Sequence, residues 1–187
     1  MVEPILSNIV LVGVSGVGKT TLGKMVAGRL EMPFLDTDAS FEQEEGLDTD
    51  SLMKKYGLYE YDKRMLTHYT EQLKRLEGVL IAASPRIVGS KDFWHITRRY
   101  TISFHLRGKP LEVYLRNDVW SGNRKLTKEE KLSEKNKQDY YHYYNWRLNH
   151  CQKADFTLRI KGEINADQDA LVDLISRVRM GDEKRLN

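Results

Sequence analysis

Residues 13–20 read Gly-Val-Ser-Gly-Val-Gly-Lys-Thr, directly after the apolar run Asn8-Ile9-Val10-Leu11-Val12 and directly before a helix-forming segment from Thr21 to Leu30. No other stretch limits the possible folds as strongly. A glycine-rich turn between a buried strand and a helix lets successive backbone N–H groups point inward, and the helix N-terminus adds the positive end of its dipole. Such a cradle suits phosphate oxygens. The lysine reaches the β- and γ-phosphates of a nucleotide, and the hydroxyl that follows it can hold Mg²⁺. The pattern therefore predicts a nucleotide site at Gly13, Ser15, Gly16, Val17, Gly18, Lys19, Thr20 and Thr21, with Thr20 on the metal.

The rest of the chain alternates strand and helix signals. A first strand over Asn8–Gly13 has the continuous apolar character of a buried parallel strand. Leu22, Met25, Val26 and Leu30 form one stripe of the first helix, and Pro33 ends it. Phe34-Leu35-Asp36 reads as a second strand, with Asp36-Thr37-Asp38 at its C-terminal end. In open parallel sheets ligands bind along that edge, where the phosphate loop also lies. Short helices follow at Phe41–Glu45 and Asp50–Tyr56, then a longer one at Leu58–Leu76. Val79–Ala83 is a third strand ending in Ser84-Pro85-Arg86, and Ser90 caps a helix to about Arg99. A fourth strand at Tyr100–Leu106 and a helix at Lys109–Asp118, entered through Pro110, come next.

From Trp120 to Lys137 apolar residues nearly vanish, and lysines mix with Arg124, Glu129, Glu130 and Glu134. After a phosphate loop such an excursion reads as a lid, because phosphoryl transfer must exclude water. The helix Asp139–Gln152 carries Tyr140, Tyr141, Tyr143, Tyr144 and Trp146, which are assigned to packing rather than to base stacking. A fifth strand at Asp155–Ile160 precedes a last helix at Ala166–Met180, with Asn165 as N-cap and Leu171, Leu174, Ile175 and Val178 facing inward. This order predicts an α/β fold: a three-layer sandwich around a five-stranded parallel sheet with right-handed crossovers.

A chain of 187 residues fits one domain. Its net charge of +3 is too small to argue for nucleic acid or a membrane surface. The lone cysteine, Cys151, forms no intramolecular disulfide and fits a reducing cytoplasm. No apolar stretch approaches the ~20 residues that span a bilayer. A monomer is expected.

The phosphate loop at the start, Asp36-Thr37-Asp38, the helical insert before the third strand, the charged lid after the fourth and the Ala154-Asp155 pair opening the fifth belong to one pattern. The chain resembles the shikimate kinases, small P-loop kinases of the nucleoside-monophosphate-kinase type, over roughly Asn8 to Ala170. The resemblance implies a P-loop NTPase-type single domain over residues 1–187. Its core covers about 7–116 and 139–181, with an acceptor-binding insert at about 38–62 and a lid at about 117–138. It implies transfer of the ATP γ-phosphate to a hydroxyl of shikimate or a similar small acid, with Mg²⁺, leaving ADP. By position, Asp36 supports the metal through water, and Asp38 binds the acceptor hydroxyls as the catalytic carboxylate, alongside Lys19. Arg116 lies against adenine, the lid residue Arg124 approaches the transferring phosphate, and Arg147 lies near the arginine that holds the acceptor carboxylate.

Three departures fall in the acceptor half. Ser84-Pro85-Arg86 stands where the family has three glycines. Asp62 follows Tyr61 where the family has an arginine, placing a negative group that would repel a carboxylate. The family's Arg-Pro-Leu-Leu in the lid is reduced to Arg124-Lys125-Leu126. Arg86 could supply a replacement cation to the acceptor from a new direction. Two alternatives stay open at this level: a kinase of the same architecture with another small acceptor, and an ATP-binding regulatory module without transfer.

Overall fold

The computed structural model describes residues 8–117, 120–121 and 124–181; the side chains of residues 120, 121 and 124 lie outside that description. Five parallel strands form the central sheet: β1 (Asn8–Val12), β2 (Phe34–Asp36), β3 (Leu80–Ala82), β4 (Thr101–Arg107) and, after a small hairpin, β7 (Phe156–Arg159). Their spatial order is β2-β3-β1-β4-β7. All four neighbouring pairs are parallel, with Leu11 opposite Ala82 on one side and Phe104 on the other. The expected five-stranded parallel sheet is present.

β1 shows why the sheet sits at the centre of a sandwich. All five of its residues are buried. Ile9 and Leu11 enter one core with Leu22 and Val26 of α1 (Lys19–Arg29) and with Leu171 and Ile175 of α8 (Ile164–Met180). Val10 and Val12 enter the other with Met65, Tyr69 and Leu73 of α3 (Thr49–Arg75) and Phe93 of α4 (Lys91–Tyr100). Period-two alternation thus feeds two cores from one strand. Each fully buried large side chain contributes about 1.5–3 kcal/mol. Asn8 ties the strand's start: its amide donates to the Leu76 carbonyl (2.7 Å) and accepts from the Val79 N–H (3.0 Å).

Several element bounds differ from the sequence expectation. The helix expected at Phe41 begins four residues earlier, as α2 (Thr37–Glu45), so Asp38 sits in a first helical turn and not in a loop. The two helices expected at Asp50–Tyr56 and Leu58–Leu76 merge into α3, which kinks at Gly57 (φ 76°, ψ 160°), a left-handed conformation that glycine tolerates. The expected cap at Asn165 is not one: α8 starts at Ile164, and Asn165 lies inside its first turn. Asp167 does the local polar work instead, accepting from the N–H groups of Lys161 (2.8 Å) and Gly162 (2.9 Å). Gln168 reaches away to the Met25 carbonyl and ties α8 to α1.

After α5 (Pro110–Arg116) the charged excursion forms a short antiparallel hairpin, β5 (Trp120–Ser121) and β6 (Arg124–Lys125), then α6 (Lys128–Lys131) with a Thr127/Glu130 capping box. The helix expected at Asp139 begins at Glu134, as α7 (Glu134–Cys151), capped by Ser133. Its Tyr140, Tyr144 and Leu148 are buried and pack in the first core, as the packing assignment requires.

Strand order fixes where a ligand can sit. From β1 the chain crosses to β2 on one side; from β3 it crosses to β4 on the other. Connections that diverge in this way leave a crevice outside the C-terminal ends of the two adjacent strands. The phosphate loop leaves β1 there, and Ser84-Pro85-Arg86 leaves β3 there.

Candidate active site

The loop 13–18 leads into α1, whose N-cap Gly18 is left-handed (φ 105°) and offers no capping side chain. The first-turn N–H groups therefore lack a side-chain partner at the cap, the arrangement that receives an anion. Lys19 is 8% exposed and folds back onto the loop, donating to the carbonyls of Gly13 (3.0 Å) and Val14 (3.1 Å). Burial lowers its ammonium pKa to about 8, against the opposing pull of Asp38 and Asp36. Among the described residues no carboxylate forms an ion pair with Lys19, which leaves its charge for phosphate oxygens.

A contact that sequence reading missed braces this loop. The Asn117 amide, just past α5, donates to the Ser15 carbonyl (2.8 Å). Lys131 of α6, also nearly buried, donates to the Asn117 carbonyl (2.6 Å). The root of the excursion is thereby fastened to the phosphate loop. Neither residue carries a motif, and their roles depend on a fold that brings residues 102 positions apart together.

At the metal end the Thr20 hydroxyl donates to Asp36 Oδ2 (2.6 Å). Asp36 Oδ1 accepts from the N–H groups of Asp38 (3.0 Å) and Ala39 (3.2 Å), so one carboxylate caps α2 and faces the loop at once. Asp38 is half-buried beside them. Burial is the main cause that raises its carboxyl pKa above the ordinary value, with the charge of Asp36 adding to it; the Ser84 hydroxyl and Lys19 oppose the rise. Thr37 locks the arrangement, accepting from the Ser84 N–H (2.7 Å) and donating to the Ala82 carbonyl (3.2 Å).

On the acceptor side the expectation for Asp62 needs correction. It is not a lone negative group: Arg86 Nε donates to Asp62 Oδ1 (2.6 Å) and Arg86 Nη2 to Asp62 Oδ2 (3.1 Å). Both residues line a cavity of about 430 Å³, together with Tyr59, Lys63, Asp92 and Trp146. Arg147 Nη1 donates to the Pro85 carbonyl and more weakly to that of Arg86 (3.5 Å). Its guanidinium carbon lies 4.5 Å from the Trp146 ring centre and 5.5 Å from that of Tyr143. These two exposed aromatics of α7 thus flank a cation rather than fill the core.

On the other side of the loop, Gly16, Gly18, Thr21, Arg116, Ile160 and Asp167 line a cavity of about 470 Å³. Arg116 lines this cavity beside Gly162. The segment 160–167, which completes this wall, was not singled out in the sequence. Arg124 is placed by its backbone in β6, and its side chain lies outside the described residues. A broader basic groove of about 760 Å³, lined by Lys91, Trp94, His95, Arg98, Arg99 and Lys153, contains no residue of the phosphate loop.

The arrangement can hold a polyphosphate on the loop, with the Asp38 carboxylate near enough to Lys19 for the two charges to act on each other. A family model described as shikimate kinase matches residues 15–170. A shikimate kinase from Caldicellulosiruptor bescii is 29% identical over 163 residues, covering 87% of each chain. Among solved structures, shikimate kinase from Bacteroides thetaiotaomicron superposes with a TM-score of 0.78 at 20% identity, over 91% of this chain and 98% of that one. Shikimate kinase from Acinetobacter baumannii, in complex with shikimate, gives a TM-score of 0.76 at 23% identity, over 96% of both chains.

Proposed function

Because this chain belongs to the shikimate kinase family, and is thus an ATP-dependent kinase acting on a hydroxyl group, we propose that its acceptor is shikimate or a closely similar small hydroxy acid. The observation that carries this reading is Asp38. It is a half-buried carboxylate whose pKa burial raises, bonded to Ser84 and facing Lys19 at the crevice between β1 and β3.

The ATP phosphates lie on the backbone N–H groups of residues 13–20, with the Lys19 ammonium on the β- and γ-phosphates and Arg116 against the base. Asp38 orients the acceptor hydroxyl and accepts its proton. The hydroxyl oxygen bonds to the γ-phosphorus as the bond to the β–γ bridging oxygen breaks, and ADP departs with that oxygen. Thr20 and Asp36 are the residues that fit Mg²⁺, since a hydroxyl and a carboxylate 2.6 Å apart beside the loop form a hard oxygen set. Bound there, the ion would offset the negative charge of the phosphate oxygens. Arg86 and Arg147 hold the acceptor acid.

Residues 117–138 serve as the lid, rooted on the phosphate loop through the Asn117–Ser15 and Lys131–Asn117 contacts, with Arg124 as the residue that approaches the transferring phosphate. The insert at 38–62 supplies the acceptor wall. The protein works as a monomer in the cytoplasm, without nucleic acid or a membrane. Among the described residues no helix is long and apolar enough to cross one.

Shikimate added to the full chain with Mg·ATP should accelerate ADP release, and Asp38→Asn should abolish the acceleration while ATP still binds. ADP release indifferent to shikimate, with folded protein, would overturn the reading. Pro85 and Asp62 favour a second reading, a different hydroxy acid in the same site, under which another acceptor in a panel stimulates turnover and shikimate does not.

A further inference from the structure

The acid-acceptor reading leaves Asp62 without a task, and the geometry supplies one. We propose that Asp62 is a positioning residue that aims the Arg86 guanidinium at the acceptor carboxylate. The inference rests on the acid-acceptor reading above.

A guanidinium carries five N–H donors in a fixed fork. Asp62 engages the side that carries Nε and one hydrogen of Nη2. The end of the fork, Nη1 and the second hydrogen of Nη2, has no partner among the described hydrogen bonds, and that end is the one that meets a second carboxylate in bidentate fashion. The pair is partly open, 30% and 39% exposed, so as a plain salt bridge it adds little stability. Its consequence is orientation: a long, flexible side chain is held in one direction at the rim of the 430 Å³ cavity.

The backbone beneath Arg86 is fixed as well. Pro85 sets its own φ, and the Arg86 N–H donates to the Ser84 hydroxyl (3.4 Å), the same hydroxyl that bonds Asp38. Arg147 of α7 donates to the carbonyls of Pro85 and Arg86. The Arg86 guanidinium lies 5.5 Å from the ring centre of Tyr61, whose hydroxyl feels the charges of both Asp38 and Arg86. Clamp and general base are therefore linked through three consecutive residues, 84–86.

The charged residues that line the cavity are Asp62, Lys63, Arg86 and Asp92, two of each sign, so the acceptor carboxylate is held by directed hydrogen bonds from the open end of the Arg86 fork rather than by a surplus of positive charge. The cation of the acceptor wall is thus transposed: it enters from the loop after β3, and α3 contributes the carboxylate that steadies it.

The test is steady-state kinetics of the full chain with shikimate and with its primary carboxamide. Wild type should prefer the acid. Arg86→Gln should raise the KM for the acid on the order of ten- to a hundredfold, the effect of losing charge-assisted hydrogen bonds, and move the acid-to-amide ratio toward one. Asp62→Asn should raise the KM for the acid about three- to tenfold with a smaller change in kcat, and Asp62→Glu should recover part of the loss. The amide-supported rate and a thermal melt report whether each variant is folded. An Asp62→Asn enzyme that binds the acid more tightly would show that Asp62 merely repels, and would sink the proposal. An unchanged acid-to-amide ratio in both variants would sink it too, while leaving the kinase reading intact. A wild type inert to shikimate overturns the reading and this inference together.

Discussion

Alanine in place of Gly16 probes the least anticipated contact in the site. Gly16 has φ 74°, so an L side chain there costs about 1–2 kcal/mol. Its Cβ would stand 2.2 Å from Asn117 Oδ1, 2.6 Å from Cγ and 2.9 Å from Nδ2, so the whole amide must leave. That movement gives up the Asn117–Ser15 bond, worth about 0.5–1.5 kcal/mol. Gly16→Ala should therefore destabilise the nucleotide-free protein by about 1.5–3.5 kcal/mol. In an Asn117→Ala background the obstacle is gone and the backbone cost alone remains. The coupling in the double-mutant cycle should be about 0.5–1.5 kcal/mol. Urea unfolding of the four proteins measures it. A coupling within 0.3 kcal/mol of zero, a bound set by the additivity of independent sites at about that level, would refute the claim that Asn117 sits over the loop.

Burial lowers the Lys19 pKa to about 8, so ATP should meet an increasingly neutral lysine above that pH; the dissociation constant measured by calorimetry should rise steadily from pH 8 to 9.5, and a flat profile contradicts the assignment. Asp38 has its folded carboxyl raised above the unfolded value, so it favours folding only when protonated and opposes folding at neutral pH. Asp38→Asn should accordingly raise Tm at pH 7, with the gain shrinking as pH falls toward the ordinary carboxyl range, and the wild-type rate should fall on the acid side with a midpoint above that range. Thr37→Val leaves the buried Ser84 N–H and Ala82 carbonyl without their hydroxyl partner and should cost about 1–3 kcal/mol in urea unfolding; a cost below 0.5 kcal/mol, about the floor for a hydrogen bond, argues against the lock.

The core was legible because its signals are short-range. The run 8–12 is buried throughout, the break at Gly57 is where the glycine stands, and Ser90 caps α4 as read, accepting from the Asp92 N–H (3.1 Å). The errors have physical causes. Asp36 was read as a strand-end carboxylate toward the metal, and its side chain also caps α2, which draws the helix start back to Thr37. Asn165 has the right residue type for a cap, and the helix starts ahead of it at Ile164, where the Asp167 carboxylate takes the N–H groups of Lys161 and Gly162. Tyr143 and Trp146 share a helix with the packed Tyr140 and Tyr144, and periodicity alone does not tell that their side carries Arg147.

The phosphate loop itself was readable in the sequence. Eight consecutive residues, 13–20, carry the loop, the lysine and the hydroxyl, and their geometry follows from local backbone freedom and the helix that begins at Lys19. The acceptor half was decided by the tertiary structure. Asp62 and Arg86 are 24 residues apart, Arg147 and Pro85 are 62 apart, and each pair meets because strand order brings α3, the loop after β3 and α7 to one edge of the sheet. A charge read alone has a sign and no partner. Whether Asp62 repels a ligand or steadies the arginine that binds it depends on what lies within 3 Å, and packing alone sets that.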